Sequence, residues 1–162
     1  MRSILREKSQ DFFGILQYDR SYWYKFWQVY CRENAVFMDG YNKTLDLDET
    51  RVQSILNDFS RPFLDGIKQK NEQIKHLKER SAKILNSHYR ELELSKEDFV
   101  IYLIGALGLQ DKVEFLGEEG GIILIDIVSL FKHNRIEQLQ DIVLDSAKRF
   151  RENREQNKQE GI

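Results

Sequence analysis

The residues that could do chemistry in this chain are few and scattered. There are three histidines, His76, His88 and His133. No HExxH occurs, and no Cys/His spacing fits a zinc site. Glu72 and His76 stand four apart on a predicted helix, so both could face one ion, although a solvated helix pair has the same spacing. His88 falls near the end of that helix, where a dipole or C-cap role suffices. Cys31 lies in an aromatic stripe with no histidine near it in sequence and reads as a packed thiol. Ser129 and Ser146 have no nucleophile-elbow motif around them. The acid pairs Asp46/Asp48, Glu97/Asp98 and Glu118/Glu119 read as caps and a turn. Asp126 is different, because it interrupts the apolar run ILIDIV. It is read first as a helix N-cap and second as a buried functional carboxylate. With Tyr102, Lys112 and His133 it makes up a pocket candidate near the predicted sheet. The glycines at 105, 108, 117, 120 and 121 match neither GxGxxG nor GxxxxGK. No catalytic residue, metal ligand or cofactor is assigned.

These residues depend on one stretch, Asp98 to Lys132, which holds the densest apolar run and most of the glycines. Phe99 to Ile104 is unbroken apolar or aromatic sequence rich in β-branching, as in a strand buried on both faces, although a buried helix has the same run and the Ser95–Asp98 capping box favours one. Lys112 to Leu116 alternates polar and apolar, and Gly117 to Gly121 is turn chemistry. Ile122 to Ile125 is again β-rich, so 112–116 and 122–127 read as a hairpin. A lone hairpin is marginal in water, so 99–104 is predicted to complete a three-stranded antiparallel sheet.

Helices are predicted on both sides of this stretch. Residues 3–17 carry a loose apolar face weakened by Gly14. A helix over 21–38 places Trp23, Phe26, Trp27, Tyr30, Cys31, Phe37 and Met38 at helical spacing, with Asn34 the one interruption. Asp39-Gly40 ends it, and 41–48 is a polar connector. Asp48 caps a helix over 49–59, and Ser60 with Pro62 opens a long helix over 61–88. Ile67, Ile74, Leu77 and Ile84 form its seam, which is too sparse for a coiled coil. Ser95 with Asp98 resembles a capping box. Asn134 with Glu137 caps a last helix, whose buried face is Ile136, Leu139, Ile142, Val143, Ala147 and Phe150. The tail from Arg151 is charged and expected to fray. The chain is therefore predicted to be one α+β domain over 1–150 with a charged tail over 151–162, mostly helical, its N-terminal helical layer packed on the sheet and a last helix closing it.

Composition limits the partners. Of 162 residues, 41 % are hydrophobic and 32 % charged, with a net charge of −2, and mean hydropathy is −0.58. This gives no general attraction to nucleic acid or anionic lipid. Lysines and Arg80 along 68–83 are diluted by Glu72 and Glu79, a solvated face. The single cysteine fits a reducing compartment. The charged start has no apolar core of a signal peptide, and the longest apolar run is too short to span a bilayer. A cytoplasmic setting is expected.

The order of long helix, apolar strand, glycine-containing hairpin and final helix resembles the start of zincin-like metallopeptidase domains. That resemblance covers roughly the last 70 residues. It implies a catalytically inactive scaffold, because Asp145, Ser146 and Arg149 stand where the family has His, Glu and His. The leading expectation is a non-enzymatic interaction or regulatory protein with a protein partner or a second copy of itself. The aromatic residues Tyr22, Trp23, Tyr24, Trp27 and Tyr30 are the candidate contact face, since Trp and Tyr dominate binding hot spots. The alternatives are a small-molecule sensor or enzyme at the Asp126 pocket, and the metal-free zincin-like scaffold.

Overall fold

The sheet at the centre is mixed, and its outermost members come from opposite halves of the chain. The computed structural model describes residues 4–92, 99–118 and 120–160. The strands are β1 (Leu5–Glu7), β2 (Phe99–Ile104), β3 (Lys112–Gly117) and β4 (Gly120–Asp126), in the spatial order β1-β2-β4-β3. β1 and β4 both run parallel to β2, and β3 returns antiparallel along β4. The hairpin and the buried strand match the sequence reading. The sheet itself has four strands, not three, and is not all antiparallel. Its extra strand, β1, is three residues at the head of the segment expected to be helical. Helix α1 (Ser9–Ile15) begins only after it.

Helices cover both faces. Alternation along β2 and β4 sends Val100, Tyr102, Ile104, Ile122 and Leu124 to one side, where α1, α2 (Trp23–Glu33), α3 (Ala35–Thr44) and α4 (Glu49–Asp58) pack. Phe99, Ile101, Leu103, Ile123 and Ile125 go to the other side, against α6 (Asn71–Ser87), α7 (Ile127–Lys132) and α8 (Leu139–Glu160). α5 (Arg61–Gln69) contributes Leu64 to one cluster and Ile67 to the other. Strands buried on both faces explain the unbroken apolar runs.

Several boundaries differ from expectation. The helix over 21–38 is two helices, broken at Asn34, whose amide Nδ2 donates to Tyr30 O at 2.9 Å. Gly40 does not stop α3, which continues through the expected connector to Thr44. Gly40 is there because a Cβ would run into the ring of Phe115. The long helix is broken at Lys70. Asn134 adopts φ 58° and is followed by a 3-10 turn, Ile136–Gln138, so α8 starts later than the capping box suggested. α8 runs as helix through Glu160, past the Arg151 start of the charged tail. The caps at Asp48, Ser60 and Asp126 are confirmed, their side chains accepting from Arg51, Phe63 and Val128 N–H. The Ser95–Asp98 segment lies outside the described residues. No described helix is long and apolar enough to cross a membrane.

Candidate functional site

Open α/β sheets usually bind ligands beyond the carboxyl ends of their parallel strands. Here that end is filled. Residues 105–111 fold back over it, with Ala106 and Leu107 fully buried. Asp126, at the last position of β4, ties the fold-back down. One carboxylate oxygen accepts from Ala106 N–H at 3.1 Å and Val128 N–H at 2.9 Å, the other from Gly108 N–H at 2.9 Å. Gly108, at φ 74°, makes the turn a side chain would strain. Above this node Tyr30 Oη donates to Gly105 O at 3.0 Å, and Tyr41 Oη accepts from Leu107 N–H at 3.2 Å. Burial pushes the Asp126 carboxyl up to about 7, opposed by those three backbone donors. Both tyrosines are also raised, first by burial and then by the Asp126 charge. At 1 % exposure, Asp126 cannot reach a substrate. It is the cap expected and also the buried carboxylate, and its work is to hold a plug.

The other members of the pocket candidate are dispersed. Lys112 begins β3 and pairs with Glu114 at 2.9 Å. His133 ends α7 beside Ser129 and Asp111. Ser129 Oγ donates to Asp111 Oδ1 at 2.7 Å, and Arg135 holds the other oxygen at 2.6 Å. Ser129 Oγ and Asp111 Oδ1 both face His133 Nδ1, at 3.2 and 3.6 Å. A triad needs serine and carboxylate on different ring nitrogens, and Ser129 is fully buried, so this cluster is a tie between the β2–β3 loop and α7. A second serine, Ser9, meets Lys78 Nζ at 3.2 Å, but Lys78 is paired to Glu7 at 3.2 Å and Ser9 is sealed. Glu72 lies on the solvent side of α6, and His76 pairs with Glu79 at 3.8 Å. Among the described residues no three His, Cys, Asp or Glu converge on a metal position.

Of the four, Tyr102 is the one that lines the cleft described next. A cleft of about 920 Å³ lies over the opposite, amino-terminal end of β2 and β4. Its floor is Val100, Tyr102 and Ile122, all nearly dry, and Phe37 of α3 packs on the Tyr102 ring with centroids 4.6 Å apart. One wall is β1. Arg6 lies beside Tyr102 in register, donates to Tyr102 Oη at 3.1 Å and stacks over its ring at 5.6 Å, and Lys8 follows. The opposite wall is the α2–α3 junction, α3 and the hairpin turn, carrying Glu33, Asp39 and Glu118. None of these five charges has an ion-pair partner among the described residues. The rim carries two exposed apolar side chains, Val36 at 73 % and Leu116 at 85 % exposure. Three of these charges belong to segments read otherwise from sequence: Arg6 and Lys8 to a predicted helix, Asp39 to a helix stop.

The aromatic face divides as well. Trp23, Trp27 and Tyr30 are buried in the core, while Tyr24 is half-buried and Tyr22 exposed. What remains outside is a small ring cluster, with Tyr18 and Tyr22 packed on Phe26 at 4.9 and 5.9 Å. Asp145 and Arg149 are exposed on α8 and take no part in the cleft, so their placement gives the zincin-like scaffold no support. Comparison with known protein families, curated proteins and solved structures finds no match.

Proposed function

We propose that this chain is a non-catalytic, cytoplasmic binding protein whose cleft receives a short peptide segment of a partner. The observation that carries the reading is the charge arrangement: two cations on one wall, three carboxylates on the other, and an apolar aromatic floor between. A ligand of single charge would meet repulsion from one wall. A peptide end brings both a charge and an apolar body, with its carboxylate toward Arg6 and Lys8 and basic or amino groups toward Glu33, Asp39 and Glu118. β1 and β4 are two strands apart, roughly 10 Å, which three or four extended residues span. The volume is that of a ligand-sized site.

The test is titration of a mixed-sequence tetrapeptide pool, with free or amidated carboxyl ends, followed by amide chemical-shift changes. Free-acid peptides should perturb Val100, Tyr102 and Phe37, and amidation or Arg6→Ala should weaken binding about tenfold or more. Equal binding of both pools, or shifts elsewhere only, would remove the reading.

A further inference from the structure

The outer edge of β3 is open. β3 ends the sheet order, and no described residue pairs with its far side. The phase of its ladder can be fixed. Asp126 N–H donates to Asp111 O at 2.9 Å, and the register places 111 opposite 126. In an antiparallel pair, hydrogen-bonding residues alternate. Residues 111, 113, 115 and 117 therefore turn their main-chain groups to β4. Lys112, Glu114 and Leu116 turn theirs outward, unpaired.

Natural edges are blunted by shortness, proline, bulges or unpaired charge. The opposite edge, β1, is three residues long. β3 is six residues, every one with a single partner on β4 and none a proline. Its one lysine is neutralised by Glu114 on the same face. Leu116 stands beside them, uncovered.

We propose that β3 pairs with β3 of a second copy of this chain, antiparallel about a two-fold axis at Val113, to form an eight-stranded sheet. Charge selects the register. With the axis at Val113, Lys112 of each copy faces Glu114 of the other, giving two reciprocal cross-strand ion pairs. With the axis at Glu114, the two glutamates face each other. With it at Phe115, Glu114 faces Leu116. The same register sets Lys112 opposite Glu118, past the strand end, so only the first register joins outward-turned residues of opposite charge that both lie within β3.

Sedimentation velocity of the full chain across a wide concentration range tests this. The expected mass rises toward twice 19.4 kDa at high concentration. Lys112→Glu and Glu114→Lys should each weaken the dimer tenfold or more, and the double swap in one chain should restore it, because the pairs are again opposite. Glu114→Pro removes an outward N–H that β4 does not use and that Lys112 O of the other copy would accept, so it should abolish the dimer while circular dichroism shows a folded monomer. A monomer at all concentrations overturns the proposal. So does a dimer indifferent to both single swaps, or one that survives Glu114→Pro.

Discussion

At the scale of single residues, Asp126 gives the sharpest expectation. Unfolded, its carboxyl ionises near the ordinary 3.8, and folded, burial holds the proton to about 7. Between those values the native state binds more protons than the unfolded one, so stability falls as pH rises. The contribution is complete below about pH 4 and lost above about pH 7, on the order of 4 kcal/mol. Urea unfolding of wild type and Asp126→Asn at matched pH should give a difference that shrinks across this window. A difference constant with pH would refute it. Trp27, at 3 % exposure, meets Phe12 edge-on at 5.9 Å and Tyr30 at 5.6 Å. Trp27→Ala should cost about 3–5 kcal/mol in the denaturation midpoint and leave the sedimenting species unchanged. Burial raises the Cys31 thiol to about 11, with Asn42 Nδ2 against its sulfur at 3.5 Å. Its alkylation at pH 8 should run ~100-fold slower than that of a free thiol, measured by mass spectrometry.

At the scale of elements, local chemistry was readable where it acts locally. The caps at Asp48, Ser60 and Asp126 and the alternation of Lys112–Leu116 need only neighbours in sequence. Breaks made by distant partners were not. Nothing in Lys70 announces a helix end as Gly or Pro would, and Gly40 sits mid-helix for a phenylalanine 75 positions on. Arg20 belongs with these. Its guanidinium donates to Leu56, Asn57 and Phe59 carbonyls at 3.1, 3.0 and 2.6 Å and lies over the Trp23 ring at 4.4 Å. It closes the last turn of α4 from another segment. Arg20→Ala should lower stability by about 1.5–3 kcal/mol, and hydrogen exchange should rise first at 56–59. Gly105 is a matter of space. A Cβ there would stand 2.9 Å from Phe12 Cβ, inside a sealed aromatic cluster, so Gly105→Ala should cost about 1–3 kcal/mol in thermal unfolding.

At the scale of the whole molecule, the α+β class, the hairpin and the helical majority were legible, because composition and periodicity carry them. The parallel pairing was not. Leu5, Arg6 and Glu7 are too few to show a period, and their partners Ile101, Tyr102 and Leu103 lie almost a hundred residues away. The cleft inherits that blindness, since Arg6 and Tyr102 become neighbours only through this pairing. The pocket candidate gathered polar residues near the sheet in sequence, yet the fold sends Tyr102 to one end of it and Asp126 and His133 to the other.

That same pairing fixes a timetable for synthesis. On the ribosome, Phe12, Trp27 and Tyr30 emerge long before Tyr102, Ile104 and Leu124, the side chains they are built to cover. At ordinary elongation rates the wait is on the order of 10 s, far longer than a helix takes to form or a chain to collapse. During that interval the nascent amino-terminal half is a set of aromatic helices without a floor. Ribosome-associated chaperones should meet it there, and a pause in translation just before β2 should prolong that encounter.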